Sequence, residues 1–397
     1  MRTRSSCRDW ATPATANSAP PTDRLLSLPS WARNRATSGM FLAQPRRTRW
    51  SWASDLPLLA RFRAQCRTVS GMRAVVCRQF GPLDDLVIED RPSPDLFPSC
   101  VRVAVNACGV NFVDGLFVQG KYQIKPPTPF VPGMEVVGRI TEIASDVADP
   151  NLSIGTRVFA NVGLGGFASE VVVAAKRVMV LPDNLSDGQA ATFMQSYLTA
   201  WFALVERARV EAGKWLLVIG AGSGVGLGAV DVGHALGLRV IAVASSDEKR
   251  RLATERGADA VIDSRLTADQ IKEKAKEISG GGVDYIYDPV GGELGETSLR
   301  ALTDDGQYLV IGFVGGIPRL PANQVLLRNR RVTGVDWGGW AGKNPGLNDR
   351  MLAQVLDLIA QGRLRPVEPV TYALGDAARA LHDLEDRKVA GKIALIP

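Results

Sequence analysis

The chain has 397 residues, 46% of them apolar and 22% charged, which is an ordinary composition and enough length for two folded domains. Its formal charge of +6 comes from the front: residues 1–71 hold twelve Arg, no Lys, three Asp and no Glu, while the remainder carries 35 basic against 38 acidic residues. A nucleic-acid-binding core is therefore not expected, and no apolar run approaches the roughly 18 residues of a membrane span.

Residues 1–71 contain six Pro, four Trp and many Ser, Thr and Ala without sustained periodicity. An organelle transit peptide shares the Arg-rich, acid-poor composition, but the prolines break the amphipathic helix it needs. A disordered arm for anionic partners also fits. The expectation taken forward is an inert extension upstream of a wrongly chosen start, with Met72 as the natural beginning. The location then expected is cytoplasmic, or mitochondrial if the extension is a genuine transit peptide. The cysteines, Cys7, Cys66, Cys77, Cys100 and Cys108, form neither a CxxC motif nor an even set, so a reducing compartment is expected.

From Met72 to about Val180, short Val- and Ile-rich runs alternate with Gly, Pro and Asp turns, the texture of a β-rich domain. Helix and strand alternate from about Pro182. A capping box, Ser186 to Gln189, opens that region, and a long helix is expected over roughly Ser196 to Glu211. Next comes a buried strand, WLLVIG, and then four glycines, Gly220, Gly222, Gly224 and Gly226, with Ser223 and Val225 between them. An apolar helix and a second strand from about Arg239 complete a βαβ unit. The helix N-terminus left by such a turn offers free N–H groups and a positive dipole end to a pyrophosphate. Glycines there are expected to let the phosphate reach the backbone.

The second strand ends Val243-Ala244-Ser245-Ser246, with Ala244 where an NAD site places an acid. Two hydroxyls followed by Lys249 and Arg250 suit a 2′-phosphate, which an acid would repel, so NADPH is the expected cofactor. Ser245 or Ser246 also fits a helix cap, Ser245 with Glu248 as a capping box. Further elements are a helix over Asp247–Arg256 closed by Gly257, a strand AVID, a helix capped by Thr267 and Gln270, and a strand VDYIYD. A helix over Glu293–Leu302, a strand in GQYLVIGF, a helix over Asp349–Gln361 and a final strand in GKIALIP follow. Repeated βα units imply a doubly wound parallel sheet, and the last residues are expected to complete the first domain.

In this order, the segments GVNFVDGLFVQGKYQIKPPTPFVPGMEVVG, VIGAGSGVGLGAVDVGHALGLRVIA, VDYIYDPVGG, YLVIGFVGG and GKIALIP resemble the zinc-free NADPH:quinone oxidoreductases (zeta-crystallin-like) of the medium-chain dehydrogenase/reductase superfamily, with the quinone oxidoreductase-like 2 group nearest. The resemblance spans about Met72 to Pro397. It implies an α/β protein with a GroES-like catalytic domain over 72–192, completed by 334–397, and a Rossmann NADPH-binding domain over 193–333.

The same resemblance implies hydride transfer to a quinone or α,β-unsaturated carbonyl. Positions that hold zinc ligands in metal-dependent members read Asn111, Met134 and about Gln195. The chain has only two histidines, His234 and His382, so no metal is expected. Asn111, Asp114 and Tyr122 are implied around the pocket and Thr199 beside the nicotinamide. Asn111 and Tyr122 are possible donors to a carbonyl oxygen, and Asp114 is first of all a structural acid. Gly222, Ser223, Gly224, Val225 and Gly226 are implied at the pyrophosphate, and Ser245, Ser246, Lys249 and Arg387 at the 2′-phosphate. Phe313 is implied at the carboxamide. Leu116 replaces an aromatic found in relatives, and Ser264 replaces a Tyr whose role Arg265 could take. Relatives pair sheet edges into dimers, so a homodimer is expected, with GQYLVIGF as the pairing strand. The rival readings are an enoyl-thioester reductase of the same superfamily and a non-catalytic NADPH-binding protein with a structural, sensing or RNA-binding role.

Overall fold

The computed structural model describes residues 71–397, so the expectations for the arginine-rich extension lie outside the described residues. The β-rich front comprises β1 (Gly71–Val76), β2 (Val87–Pro92), β3 (Cys100–Val110), a short helix α1 (Phe112–Val118), β4 (Glu135–Ile143), β5 (Arg157–Asn161), β6 (Glu170–Ala174) and β7 (Val178–Val180). Strand β3 alternates between buried and half-buried positions until its last four residues, all buried. Its first half thus faces a core on one side, and its end is enclosed on both.

Helix α2 (Asp187–Trp201) starts at Ser186, whose hydroxyl accepts the Gln189 N–H at 3.0 Å while the Gln189 side chain accepts the Ser186 N–H at 3.0 Å. The capping box and the long helix expected after it are one element, because no breaker separates Gln189 from Ser196. A π-helical turn over Phe202–Ala208 finishes it before Glu211. Eleven of the fifteen residues of α2 are buried, among them Phe193, Tyr197, Leu198 and Trp201. They join residues of both sheets in one core, packing with Ala107 and Phe159 from the front and Leu216 and Val218 from the second sheet. Each such large apolar side chain contributes about 2–3 kcal/mol by leaving water.

The remaining elements are β8 (Trp215–Ile219), α3 (Gly224–Ala235), β9 (Arg239–Ala244), α4 (Asp247–Glu255), β10 (Ala260–Asp263), α5 (Ala268–Ser279), β11 (Val283–Asp288), α6 (Gly292–Ser298), β12 (Leu302–Val310), α7 (Ala322–Leu326), β13 (Arg331–Gly334), α8 (Trp337–Lys343), α9 (Pro345–Ala360), β14 (Val370–Ala373), α10 (Ala377–Glu385) and β15 (Ile393–Ile396). A six-stranded sheet runs β10-β9-β8-β11-β12-β13, and every pairing in it is parallel. The order reverses between β8 and β11, which opens the crevice where doubly wound sheets bind ligands. All five residues of β8 are buried, as strands covered on both faces require. The seven-stranded front sheet runs β14-β15-β3-β4-β5-β7, with β6 also on β3, so the chain's last strands pair into its first domain.

Two expectations are corrected. The GQYLVIGF strand, β12, is not an edge: it pairs with β11 on one side and β13 on the other, leaving β10 and β13 outermost. The helix expected over Glu293–Leu302 ends at Ser298 and tightens into a 3-10 turn, because Leu302 already belongs to β12. Among the described residues no helix is long and apolar enough to cross a membrane.

Candidate active site

Ser223 organises the glycine turn. Its hydroxyl donates to the Gly220 carbonyl at 2.8 Å and accepts the Gly226 N–H at 3.2 Å, capping α3. The amides of Gly224 and Val225, in the first turn, have no intrahelical partner and face the crevice end of β8. The glycines themselves serve a purpose the sequence did not suggest. A Cβ on Gly226 would overlap the Gly220 carbonyl oxygen, so this glycine lets helix and strand close together. A Cβ on Gly222 would lie 2.6 Å from the Lys249 stem, and one on Gly224 would overlap the stem of Lys392. Gly222 and Gly224 thus seat the stems of two lysines, whose ammonium groups end at the Arg387 carbonyl and at Asn111.

At the end of β9, Ser246 is the cap of α4: its hydroxyl accepts the Lys249 N–H at 3.2 Å. The expected box between Ser245 and Glu248 does not form, because the helix starts one residue later; both serines are exposed. Arg250 is taken up by the Ala244 carbonyl (3.1 Å), Asp247 and Asp263 (3.3 Å), and Arg265 pairs with Asp263 at 3.0 Å. Lys249 is different. Its ammonium donates to the main-chain carbonyl of Arg387 at 2.6 Å and has no carboxylate in ion-pair range among the described residues. Burial, and then the Arg387 charge, hold its pKa below the ordinary value. Arg387, at φ 58°, donates its guanidinium to the Val314 carbonyl at 2.9 Å. Lys249, Arg387 and the loop carrying Phe313 therefore meet across the crevice, with the Phe313 side chain 48% exposed.

The other candidates lie at the start of α1. Asn111 is its N-cap, and the Asp114 carboxylate accepts the Asn111 N–H at 2.8 Å. Asp114 is fully buried, and desolvation pushes its pKa up to about 7 against the opposing pull of that N–H. Asn111 is 4% exposed and its carboxamide is already engaged: Nδ2 donates to Glu135 Oε1 at 3.2 Å, and Oδ1 accepts Lys392 Nζ at 2.5 Å. One N–H remains for any other acceptor. Desolvation raises Glu135 to about 6, and the Lys392 charge works against it. Lys392 is half-buried, and desolvation lowers its pKa against the opposing pull of Glu135 and Asp114.

Tyr122 is half-buried, its ring 4.8 Å from Phe117, and burial followed by the Asp336 charge raises its phenol pKa. Its hydroxyl has no hydrogen-bond partner among the described residues. Thr199 is half-buried on α2, and no hydrogen bond links it to the other candidates. His234 packs at Gly257 and His382 faces Asp84 at 3.1 Å, both away from Asn111. Among the described residues no group of three or more His, Cys, Asp or Glu is placed to hold a metal ion.

The alcohol dehydrogenase GroES-like domain family matches residues 98–183, and the zinc-binding dehydrogenase family matches residues 224–361. The quinone oxidoreductase-like protein 2 homolog of Nematostella vectensis is 37% identical over 329 residues, which is 81% of this chain and 88% of that protein. The chain belongs to the quinone oxidoreductase family of medium-chain dehydrogenases/reductases. Quinone oxidoreductase-like protein 2 of Bos taurus is 36% identical over 338 residues, 83% of this chain and 95% of its own. The quinone oxidoreductase of Thermus thermophilus, solved also in complex with NADPH, superposes with a TM-score of 0.71 at 32% identity. It covers 82% of this chain and 100% of its own. In this quinone oxidoreductase family member, Glu135 and Lys392 are the site residues that sequence reasoning passed over. The available signal was one acid and one base, each at the mouth of an otherwise apolar strand, in GMEVVG and GKIALIP.

Proposed function

We propose that the chain is an NADPH-dependent reductase that passes hydride to a quinone or an α,β-unsaturated carbonyl without help from a metal ion. The observation that carries the cofactor reading is the approach of Lys249 to Arg387 beside a strand end that has Ala244 in place of an acid. Two neighbouring cations without a carboxylate between them favour a dianionic 2′-phosphate. The NADPH complex of the Thermus thermophilus relative supports the same cofactor.

Bound NADPH supplies the hydride. The α3 amides at Gly224 and Val225, on the turn that runs from Gly222 through Ser223 to Gly226, hold the pyrophosphate at the positive end of the helix. Ser245, Ser246, Lys249 and Arg387 would hold the 2′-phosphate, and the Phe313 loop and Thr199 would serve the nicotinamide end. Tyr122, with its unengaged hydroxyl, donates to the acceptor's carbonyl oxygen as negative charge develops there, and the remaining Asn111 N–H assists. Asp114 acts through the backbone of Asn111 and does not touch the acceptor. A proton from water completes the two-electron reduction. A homodimer forms through the free edge of β13, the strand that follows Leu326 and Leu327, each at least 75% exposed.

The test is to mix the purified protein with NADPH and follow cofactor absorbance with quinones, enones and enoyl-CoAs in turn. Oxidation with quinones or simple enones supports the reading. Turnover with enoyl-CoAs alone assigns an enoyl-thioester reductase, and binding without oxidation by any acceptor assigns a non-catalytic NADPH-binding protein. A sizing column that shows only monomer rejects the dimer.

A further inference from the structure

Lys392 immediately precedes β15 and touches both halves of the site. The stretch Gly391–Lys392 is docked on the glycine turn: the Gly391 N–H donates to the Gly222 carbonyl at 2.9 Å, and the lysine stem lies over Gly224. The ammonium then crosses to the front domain and donates to Asn111 Oδ1 at 2.5 Å, with the Val110 carbonyl at 3.5 Å. On its other side the same carboxamide donates to Glu135 at 3.2 Å.

A primary amide has two nearly isosteric orientations, and only its neighbours decide between them. An ammonium can only donate, so the amide oxygen must face Lys392. An ionised carboxylate can only accept, so the amide nitrogen must face Glu135. Together they remove the degeneracy and leave one N–H in a fixed direction. The two buried carboxylates, Glu135 and Asp114, work against the desolvation of the lysine without cancelling it. Neither is within ion-pair range of the ammonium, so its hydrogen bond to Asn111 is the short one.

We propose that Lys392 and Glu135 are positioning residues that orient the Asn111 carboxamide toward the acceptor, with Lys392 acting through the amide and not as a ligand of the cofactor phosphates. This rests on the reductase reading given above. Lys392→Met keeps the stem over Gly224 and removes the donor; Lys392→Arg retains a donor-only cation; Glu135→Gln retains an acceptor. The first is expected to lower kcat about tenfold or more, as misplacement of a catalytic donor does, with the NADPH dissociation constant within about twofold of wild type. Lys392→Arg is expected to recover most of that loss, and Glu135→Gln, which keeps an acceptor facing the amide nitrogen, to retain most of the wild-type kcat. In an Asn111→Ala background, Lys392→Met is expected to add little, because contacting residues that act as one unit are non-additive.

A tenfold weaker NADPH affinity at unchanged kcat would make Lys392 a phosphate ligand and overturn the proposal. Full additivity with Asn111→Ala would do the same. If no acceptor is reduced at all, the reductase reading fails, yet the positioning claim is still decided by NMR. In 15N-asparagine-labelled protein, the side-chain amide pair that disappears in Asn111→Ala should be protected from exchange in wild type. Loss of that protection in Lys392→Met upholds the proposal, and protection unchanged in that variant defeats it.

Discussion

The Lys249 ammonium donates to the main-chain carbonyl of Arg387 at 2.6 Å, joining helix α4 to the loop after α10 across the mouth of the crevice. Two cations are thereby held near each other, and no carboxylate lies in ion-pair range of the Lys249 ammonium among the described residues. Lys249→Ala is expected to weaken NADPH binding by about 10- to 100-fold, the value of one charge-assisted hydrogen bond. NADH binding should change little. Fluorescence titration of both cofactors against both proteins checks this, and equal losses for the two would remove Lys249 from the 2′-phosphate.

Gly226 is required by packing. Gly226→Ala forces a Cβ into the Gly220 carbonyl and should destabilise the fold by about 1–3 kcal/mol. Gly346, in the first turn of α9, is the control, because a Cβ there meets nothing within 4 Å. Gly346→Ala should be neutral or stabilising by up to about 1 kcal/mol. Urea denaturation of the two variants should move in opposite directions; a neutral Gly226→Ala would contradict the close approach of strand and helix.

The Ser246 hydroxyl caps α4. Ser246→Ala removes the α4 cap and should lower stability by about 1 kcal/mol. Ser245→Ala, which removes no cap, should leave the melting temperature unchanged. A calorimetric scan in which the Ser245 variant loses more than the Ser246 variant would reassign the helix start.

The buried acids make stability depend on pH. Asp114 and Glu135 have folded-state pKa values raised to about 7 and about 6, so the folded protein holds these protons more tightly than the unfolded chain. Their contribution to stability is fully present below the unfolded values and is lost progressively as pH rises from there through the folded ones, about 6 for Glu135 and about 7 for Asp114. Lys392, with its pKa lowered, acts in the opposite sense, losing its contribution only as pH falls through its folded pKa. Asp114→Asn retains an acceptor for the Asn111 N–H and cannot ionise. Its melting temperature relative to wild type should therefore rise between about pH 4 and about pH 7 and level off above; a constant difference would mean that Asp114 ionises in the fold as it does in water.

Much of this architecture is legible in the sequence because it is local. WLLVIG is apolar throughout since β8 is covered on both faces, and the capping pairs Ser186–Gln189 and Thr267–Gln270 sit three residues apart. The choice between Ser245 and Ser246 was not legible, since both fit a cap and only the backbone selects one. The edge of the parallel sheet was missed because β13 is a four-residue strand with three exposed positions, a pattern too weak to distinguish from a loop. Lys392 and Asn111 are 281 positions apart, so nothing in their neighbourhoods announces that they meet. Glycine spacing correctly marked a tight turn, but the side chains that fill the space above Gly222 and Gly224 arrive from α4 and from the residue before β15.

Cofactor choice is the claim on which the rest depends. Titration of the wild-type protein with NADPH and with NADH, followed by nicotinamide fluorescence, tests it most directly. The account predicts that NADPH binds at least about tenfold more tightly, from the added charge-assisted contacts to its 2′-phosphate. Equal affinities, or a preference for NADH, would contradict it.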